Sequence, residues 1–134
     1  SRGLGDVYKR QIYRSMVSRF PFPAQGYRQT QIDLNKILVK DPANTFFFRM
    51  YGDSMEGAGM YDRDEIIVDR SLTPETGKVV AASLDGEFMV KRLGVDRYGQ
   101  GWLLPENPKY PAIPVPPESE FSILGVVTFC LHRL

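Results

Sequence analysis

Short apolar runs separated by turn residues fill the chain from residue 45 onward, and they predict a domain built mainly of β-strands. Asp85 and Gly86 lie between two of these runs and are typical of a tight hairpin turn. The runs that we predict as strands are Thr45–Arg49, Glu65–Asp69, Lys78–Leu84, Phe88–Leu93, Trp102–Leu104 and Phe121–Leu131.

One short helix is expected ahead of the strands. Asp33 precedes Leu34, Ile37 and Leu38, and this spacing places the apolar side chains on one helical face behind an Asp N-cap. Pro42 ends the helix, because proline cannot donate the backbone hydrogen bond that a helix interior needs.

Prolines mark two segments that are not central strands. Six prolines lie between Pro105 and Pro117, which predicts an ordered loop at a sheet edge. The run Arg19–Ala24 must be extended, because each proline also biases its predecessor away from helix. We therefore interpret residues 1–30 as an extended N-terminal arm and residues 31–134 as the folded domain. Residues 1–11 contain a stretch that resembles a translated sequencing adapter, and we treat them as non-native.

Composition narrows the function classes. The chain has 134 residues, 43% of them hydrophobic, and a length typical of one domain. Its single cysteine, Cys130, excludes an internal disulfide framework and a cysteine-rich zinc site, and we expect no metal or cofactor. No apolar run is long enough to span a bilayer and no secretory signal is present, so a cytoplasmic protein without membrane contact is expected.

The net charge of +1 hides an asymmetry between the arm and the rest of the chain. Residues 1–19 carry a net charge of +4, whereas residues 20–134 carry −3. The folded part is therefore not an electrostatic nucleic-acid binder. We interpret the basic segment as a solvated tail rather than a DNA contact.

Candidate chemistry centres on Ser54 and Lys91. The chain has one histidine, His132, near its end, which disfavours a Ser-His-Asp or Cys-His arrangement. A serine acts as nucleophile only if a base takes its proton, and lysine is the remaining candidate. Alternatively, Ser54 caps a turn and Lys91 lays its stem along a strand. Four acidic residues suggest a metal loop, but they lack calcium-loop spacing and read as turn and strand-end acids: Asp62, Asp64, Glu65 and Asp69.

A lysine base requires a dry environment. With a pKa near 10.4, only about one lysine in 2,500 is neutral at pH 7. Burial lowers that pKa, and the alternation of a strand puts Met89 and Leu93 on the face of Lys91. Gly52 permits a tight turn that exposes the Ser54 hydroxyl and aims backbone N–H groups at a developing oxyanion.

Several motifs in order resemble the LexA/UmuD family of self-cleaving serine peptidases, peptidase family S24. The resemblance runs from about residue 19 to residue 132. Residues Phe20–Ala24 and Gln31–Asn35 resemble the UmuD-like branch in particular. The motifs that carry the resemblance are Gly52–Met55, Gly59–Asp62, Ile66–Ser71, Gly77–Ala82, Asp85–Leu93, Leu103–Tyr110 and Gly125–Thr128.

The resemblance implies a role for each matching residue. Ser54 would be the nucleophile and Lys91 the general base of an autoproteolytic serine endopeptidase, with the backbone N–H groups of Asp53 and Ser54 as the oxyanion hole. The implied fold is the LexA/signal-peptidase-like β fold. The implied partners are a second copy in a homodimer, a RecA–single-stranded-DNA filament that triggers self-cleavage, and a UmuC-like DNA polymerase. With that polymerase the trimmed dimer would form DNA polymerase V, which copies past lesions in the SOS response.

The sequence departs from the family at two positions. The cleavage site aligns with Ser18 and Arg19, where Arg19 replaces the usual glycine, so we expect poor self-cleavage. Arg63 stands where the family usually has glycine in an Asp-Gly-Asp turn, and we expect little consequence.

Three other interpretations remain open. The first is a LexA-type or phage-type repressor C-terminal domain without its DNA-binding domain. Residues 1–30 show no helix-turn-helix, so direct sequence-specific DNA binding is not expected. The second is a signal-peptidase-like membrane enzyme, which Glu56 disfavours because a proline is usual there. The third is an interaction subunit whose peptidase site is vestigial.

Overall fold

The computed structural model describes residues 31–134. The predicted arm 1–30, with Ser18 and Arg19, lies outside the described residues, so the arm and the domain boundary stay predictions. The described part contains one α-helix, α1, at Leu34–Leu38, and no helix in it is long and apolar enough to cross a membrane. Its strands are β1 Thr45–Arg49, β2 Glu65–Asp69, β3 Val79–Leu84, β4 Glu87–Val95, β5 Gly101–Leu104, β6 Ile113–Val115 and β7 Phe121–Leu131. The prediction of a mainly β domain with a short N-terminal helix is confirmed.

All the strand pairs are antiparallel, in one sheet of order β1-β2-β7-β3-β4-β5-β6. The long strand β7 joins the β1-β2 hairpin to the β3-β4 hairpin, because it pairs with both β2 and β3. A register shift interrupts each of these pairings, between Ile67 and Val68 in β2 and between Ala81 and Ala82 in β3. Such irregularities increase local twist and bend a sheet.

The predicted hairpin turn at residues 85 and 86 is confirmed, whereas the prediction for the proline-rich segment is partly wrong. Asp85 and Gly86 adopt φ angles of 51° and 85° between β3 and β4, as the predicted hairpin requires. The segment 105–117 is not wholly a loop, because it contains the short strand β6. Pro114 lies within β6, and this is tolerated because β6 is the last strand of the sheet and needs donors on one side only.

The departure at Arg63 falls at a strained backbone position. Arg63 has a φ of 68°, in the left-handed region where glycine is favoured. Its N–H donates to the carbonyl of Met50 at 2.8 Å, which ties this turn to the end of β1. The usual glycine of the family therefore has a steric reason at this position.

The core packs on both faces of β3. Ala81 belongs to one cluster of buried side chains, while its neighbours Val80 and Ala82 belong to the other. The first cluster is completed by Met50, Met55, Met60, Ile66 and Val68, and the second by Leu103 and Val126. The three methionines of the first cluster lie at the two ends and in the middle of the segment 50–60. The segment that carries Ser54 is therefore anchored in the core.

A methyl group added at Gly125 is expected to destabilise the sheet. Its Cβ would lie 2.7 Å from Val68 Cγ1 and 2.9 Å from the carbonyl oxygen of Asp69. We expect Gly125→Ala to lower the free energy of unfolding by about 1–3 kcal/mol in urea titrations, as overpacked cores do. The control is Gly101→Ala, whose Cβ would meet only Val115 Cβ at 3.8 Å. Equal stability of the two variants would contradict the close approach at Gly125.

Candidate active site

Ser54 lies in a loop after β1 that is pinned on both sides. Met50 precedes it and Met55 follows it, and these side chains are 5% and 0% exposed. Gly52 adopts a φ of 92°, which lets the chain turn sharply, and its N–H donates to Asp62 Oδ1 at 2.7 Å. The buried methionines thus leave the partly exposed Ser54 hydroxyl at the rim of the core.

A second segment, residues 105–110, clamps this loop. The N–H of Glu106 donates to the carbonyl of Ser54 at 2.8 Å, and Asn107 Nδ2 donates to the carbonyl of Asp53 at 2.9 Å. The N–H of Gly57 donates back to the carbonyl of Glu106 at 2.7 Å. A Cβ at Gly57 would lie 2.6 Å from that carbonyl oxygen, so only glycine fits this approach. The position of Ser54 therefore depends on residues some fifty positions away in the chain.

The carboxylate of Asp53 strengthens the clamp. It accepts hydrogen bonds from the Tyr110 hydroxyl and, at 2.9 Å, from Lys109 Nζ. The Tyr110 hydroxyl and then the Lys109 ammonium lower the pKa of Asp53, so the side chain is held as a carboxylate. The backbone N–H of Asp53 acts on the Asp53 carboxylate itself, and the role of the Asp53 and Ser54 N–H groups as an oxyanion hole stays a prediction.

Strand β4 brings Lys91 to the Ser54 hydroxyl. Lys91 Nζ lies 2.8 Å from Ser54 Oγ and 3.2 Å from the carbonyl oxygen of Val90. The Lys91 side chain is partly buried, and burial lowers its pKa below the usual 10.5, while the negative charge of Glu87 acts in the opposite direction. The structure thus brings together the two side chains that the sequence singled out.

This arrangement suits a proton transfer from serine to lysine. Each unit of pKa depression increases the neutral amine at pH 7 about tenfold. A neutral Lys91 amine at 2.8 Å is within the distance that a general base needs to accept the Ser54 proton. The catalytic roles of both residues remain predictions, since geometry alone demonstrates no reaction.

The Ser54–Lys91 pair lies where two cavities meet, of about 310 Å³ and 500 Å³. The smaller cavity is bounded by the Ser54 loop, by one face of β4 and by residues 110–113. The larger one extends between residues 48–51 and residues 87–91. Residues of β1, β2, β3, β4 and β7 all line this second cavity, so it forms a cleft bordered by five strands.

His132 pairs with Asp64 and not with Ser54. Its Nδ1 lies 2.6 Å from Asp64 Oδ1, and Asp64 also accepts the N–H of Tyr61 and the thiol of Cys130. Burial of Asp64 acts to raise its pKa, but these donors outweigh burial and lower it. Burial and the Asp64 carboxylate raise the pKa of the Cys130 thiol to about 11, so this cysteine is not an activated nucleophile.

The acidic residues considered for a metal loop bond to protein donors instead. Asp62 accepts the Gly52 N–H, and Asp69 Oδ1 accepts both the N–H and the hydroxyl of Ser71. Glu65 pairs with Arg133 at 3.0 Å. Within residues 31–134, no group of three or more His, Cys, Asp or Glu side chains is placed to hold a metal ion.

The clamp from residues 105–110 is the part of the site that sequence reasoning did not find. Its members that bond the Ser54 loop are Glu106, Asn107, Lys109 and Tyr110. Two signals were available: a polar cluster inside an otherwise proline-rich segment, and the place of Leu103–Tyr110 among the motifs that resemble the family. Nothing in that cluster identifies the loop it contacts, because the contact spans more than fifty residues.

Comparisons with known proteins agree with this architecture. Residues 11–128 match the family model described as Peptidase S24-like. The chain is 44% identical to Protein SamA of Salmonella typhimurium over 114 residues, which are 85% of this chain and 78% of SamA. It is 38% identical to Protein MucA of Escherichia coli over 133 residues, 98% of this chain and 90% of MucA. It is 42% identical to the LexA repressor of Frankia alni over 66% of this chain, but over only 34% of that repressor.

We expect Lys91 to titrate below 10.5 in the folded protein. Because its folded pKa lies below its unfolded value, the Lys91 ammonium opposes folding at lower pH. Its contribution to the free energy of unfolding therefore rises with pH between the two pKa values. A pH series of the lysine ¹³Cε shifts measures the midpoint, with Lys91→Arg identifying the signal. A midpoint at or above 10.5 would contradict the burial of this amine.

Proposed function

This chain belongs to the Peptidase S24-like family, as its motifs predicted, and we propose that it is a UmuD-like, self-cleaving SOS-response protein of the cytoplasm. It cuts its own N-terminal arm with Ser54 and Lys91. The processed homodimer then acts as the accessory subunit of a UmuC-like translesion DNA polymerase, DNA polymerase V.

The observation that carries the peptidase part is the 2.8 Å contact between Lys91 Nζ and Ser54 Oγ. These residues are 37 positions apart, and the contact forms at the meeting point of two cavities. A partly buried lysine with a lowered pKa beside a serine is the combination that general-base activation needs. The extensive identity to SamA and MucA supports the UmuD-like branch.

The reaction proceeds in two steps. The neutral Lys91 amine takes the Ser54 proton while Oγ attacks the carbonyl carbon of residue 18, and the N–H groups of Asp53 and Ser54 stabilise the oxyanion. The peptide bond to Arg19 then breaks, and the Lys91 ammonium protonates the departing amine. Lys91 then deprotonates a water that attacks the acyl ester, and the Lys91 ammonium returns this proton to Oγ as the bond to Ser54 breaks.

Self-cleavage places few demands on substrate binding by the cleft. A scissile bond in the same chain has a high effective concentration, so tight substrate binding is unnecessary. A RecA–single-stranded-DNA filament promotes cleavage by increasing the population with the arm docked in the cleft.

A repressor function is the second candidate. The match to the LexA repressor of Frankia alni supports it, because that match spans two thirds of this chain. A repressor fragment would need its DNA-binding domain for sequence-specific binding. Gel-shift titration against operator-like duplexes tests whether this chain supplies such a domain, and tight, sequence-specific binding would favour the repressor.

We expect the unaltered chain to stay largely intact and Arg19→Gly to restore self-cleavage. Glycine allows the bend that Arg19 hinders next to the Ser54 hydroxyl. Intact mass after incubation at pH 9–10 measures loss of residues 1–18, with the cleavage rate rising as Lys91 loses its proton.

The controls are Ser54→Ala and Lys91→Ala, each combined with Arg19→Gly. Each is expected to slow cleavage at least about 100-fold, as loss of a nucleophile or base does. Continued cleavage in the lysine variant would show that Lys91 is not the base. Rapid loss of residues 1–18 from the unaltered chain would refute the expected effect of Arg19.

A further inference from the structure

One edge of β4 beside Ser54 has no strand partner among the described residues. On one side, β3 pairs with β4 from Glu87 to Arg92. On the other side, β5 pairs only with Arg92–Val95, which leaves Glu87–Lys91 open along that edge. The 500 Å³ cavity runs along this open edge. An unpaired strand edge next to a reactive serine is suited to receive an extended peptide as an added strand.

The open edge presents a charge at a fixed distance from Lys91. Glu87, Met89 and Lys91 alternate onto one face of β4 and line both cavities. Glu87 is exposed, and none of the ion pairs within residues 31–134 uses its carboxylate. Glu87 lies four positions before Lys91, so the two residues are about 13 Å apart along the extended strand.

The arm of this chain has a matching pattern. Arg14 lies four positions before Ser18, as Glu87 lies four positions before Lys91. A methionine, Met16, lies midway between Arg14 and Ser18, just as one does between Glu87 and Lys91. Twelve residues separate Ser18 from Gln31, a length that spans up to about 45 Å when extended. The proposal below applies to the cleft of the same chain or to that of a second copy.

We propose that Glu87 is a specificity-determining residue that pairs with Arg14, so that the cleavable strand adds to the open edge of β4 in parallel orientation. This inference rests on the proposed self-cleavage and names the sequence class that the cleft selects. That class is an extended segment with a basic residue four positions before the scissile bond. In this register Ser18 lies opposite Lys91, and Met16 lies opposite Met89.

Charge decides between the two possible strand directions. An antiparallel strand with Ser18 opposite Lys91 would place Phe22 opposite Glu87, where an apolar ring would cover a carboxylate. The parallel strand places a guanidinium there instead. Arg19 is adjacent to the scissile bond and would lie about 17 Å from Glu87 along the parallel strand and about 10 Å along the antiparallel strand, so it cannot substitute for Arg14.

A double-mutant cycle in the Arg19→Gly background tests the pairing. We expect Arg14→Gln to slow cleavage about two- to fivefold when Glu87 is present and to have no effect after Glu87→Gln. Removing the Glu87 charge also lowers the pKa of Lys91. This effect is present in both Glu87→Gln variants, with and without Arg14→Gln, so it cancels when their cleavage rates are compared. Equal slowing in both backgrounds would overturn the proposal.

A second measurement does not depend on cleavage. In the full chain with Ser54→Ala, Arg19→Gly and R14K, a carbodiimide is expected to couple position 14 to Glu87 without a spacer, as identified by mass spectrometry. The product should disappear with Glu87→Gln and in the control R14Q/S15K, whose cation falls on the other face of the strand.

The two measurements distinguish the possible failures. If Arg19→Gly never cleaves, the cross-link still decides whether position 14 contacts Glu87. If Arg19→Gly cleaves but the cross-link is absent, or forms instead from R14Q/F22K, the proposed register is wrong while the self-cleavage proposal stands.

Discussion

The candidate site depends on keeping a lysine amine partly out of water within 2.8 Å of a serine hydroxyl. Burial disfavours the charged ammonium form of Lys91 at that position. It therefore lowers the pKa of Lys91 and increases the fraction of the neutral amine, which is the form that can act as a base. Glu87 opposes the effect, because its charge favours the ammonium. The protonation of Lys91 is therefore set by a balance between burial and one nearby carboxylate. In the proposed docked state, pairing of Glu87 with a cation would offset that carboxylate and favour the neutral amine.

The Ser54 loop meets a second requirement of the proposed reaction, because a nucleophilic hydroxyl must be exposed and yet held in place. The buried side chains of Met50 and Met55 anchor the loop in the core. Backbone hydrogen bonds between Glu106 and the loop hold it on its exposed side. Asp53 adds contacts through its carboxylate. The backbone N–H groups around Ser54 consequently have fixed directions, and preorganised donors of this kind are the most effective in stabilising an oxyanion.

Local chemistry along the chain was sufficient to predict most of the fold. The bounds of β1, β2 and β7 agree with the predicted runs, and Asp85 and Gly86 form the predicted turn. The error lies in the proline-rich segment, where β6 forms around Pro114. Judged from sequence alone, a proline lowers the strand propensity of any segment equally. In the folded sheet, the hydrogen bond it removes matters in a central strand but not on the free side of an edge strand. That edge is known only once the strand order is known.

The sequence by itself determined the strand and turn pattern, the shortage of histidine and cysteine, and the choice of Ser54 and Lys91 as the chemical pair. These properties depend on residue identity and on spacings of a few positions. Only the tertiary structure decided that Lys91 reaches Ser54, that residues 105–110 clamp the loop, and that one edge of β4 beside them has no partner among residues 31–134. The physical reason is that the contacts of Lys91 and of the clamp with the Ser54 loop join residues 37 to 57 positions apart. Their formation depends on strand order and sheet curvature, which arise from the packing of the whole core.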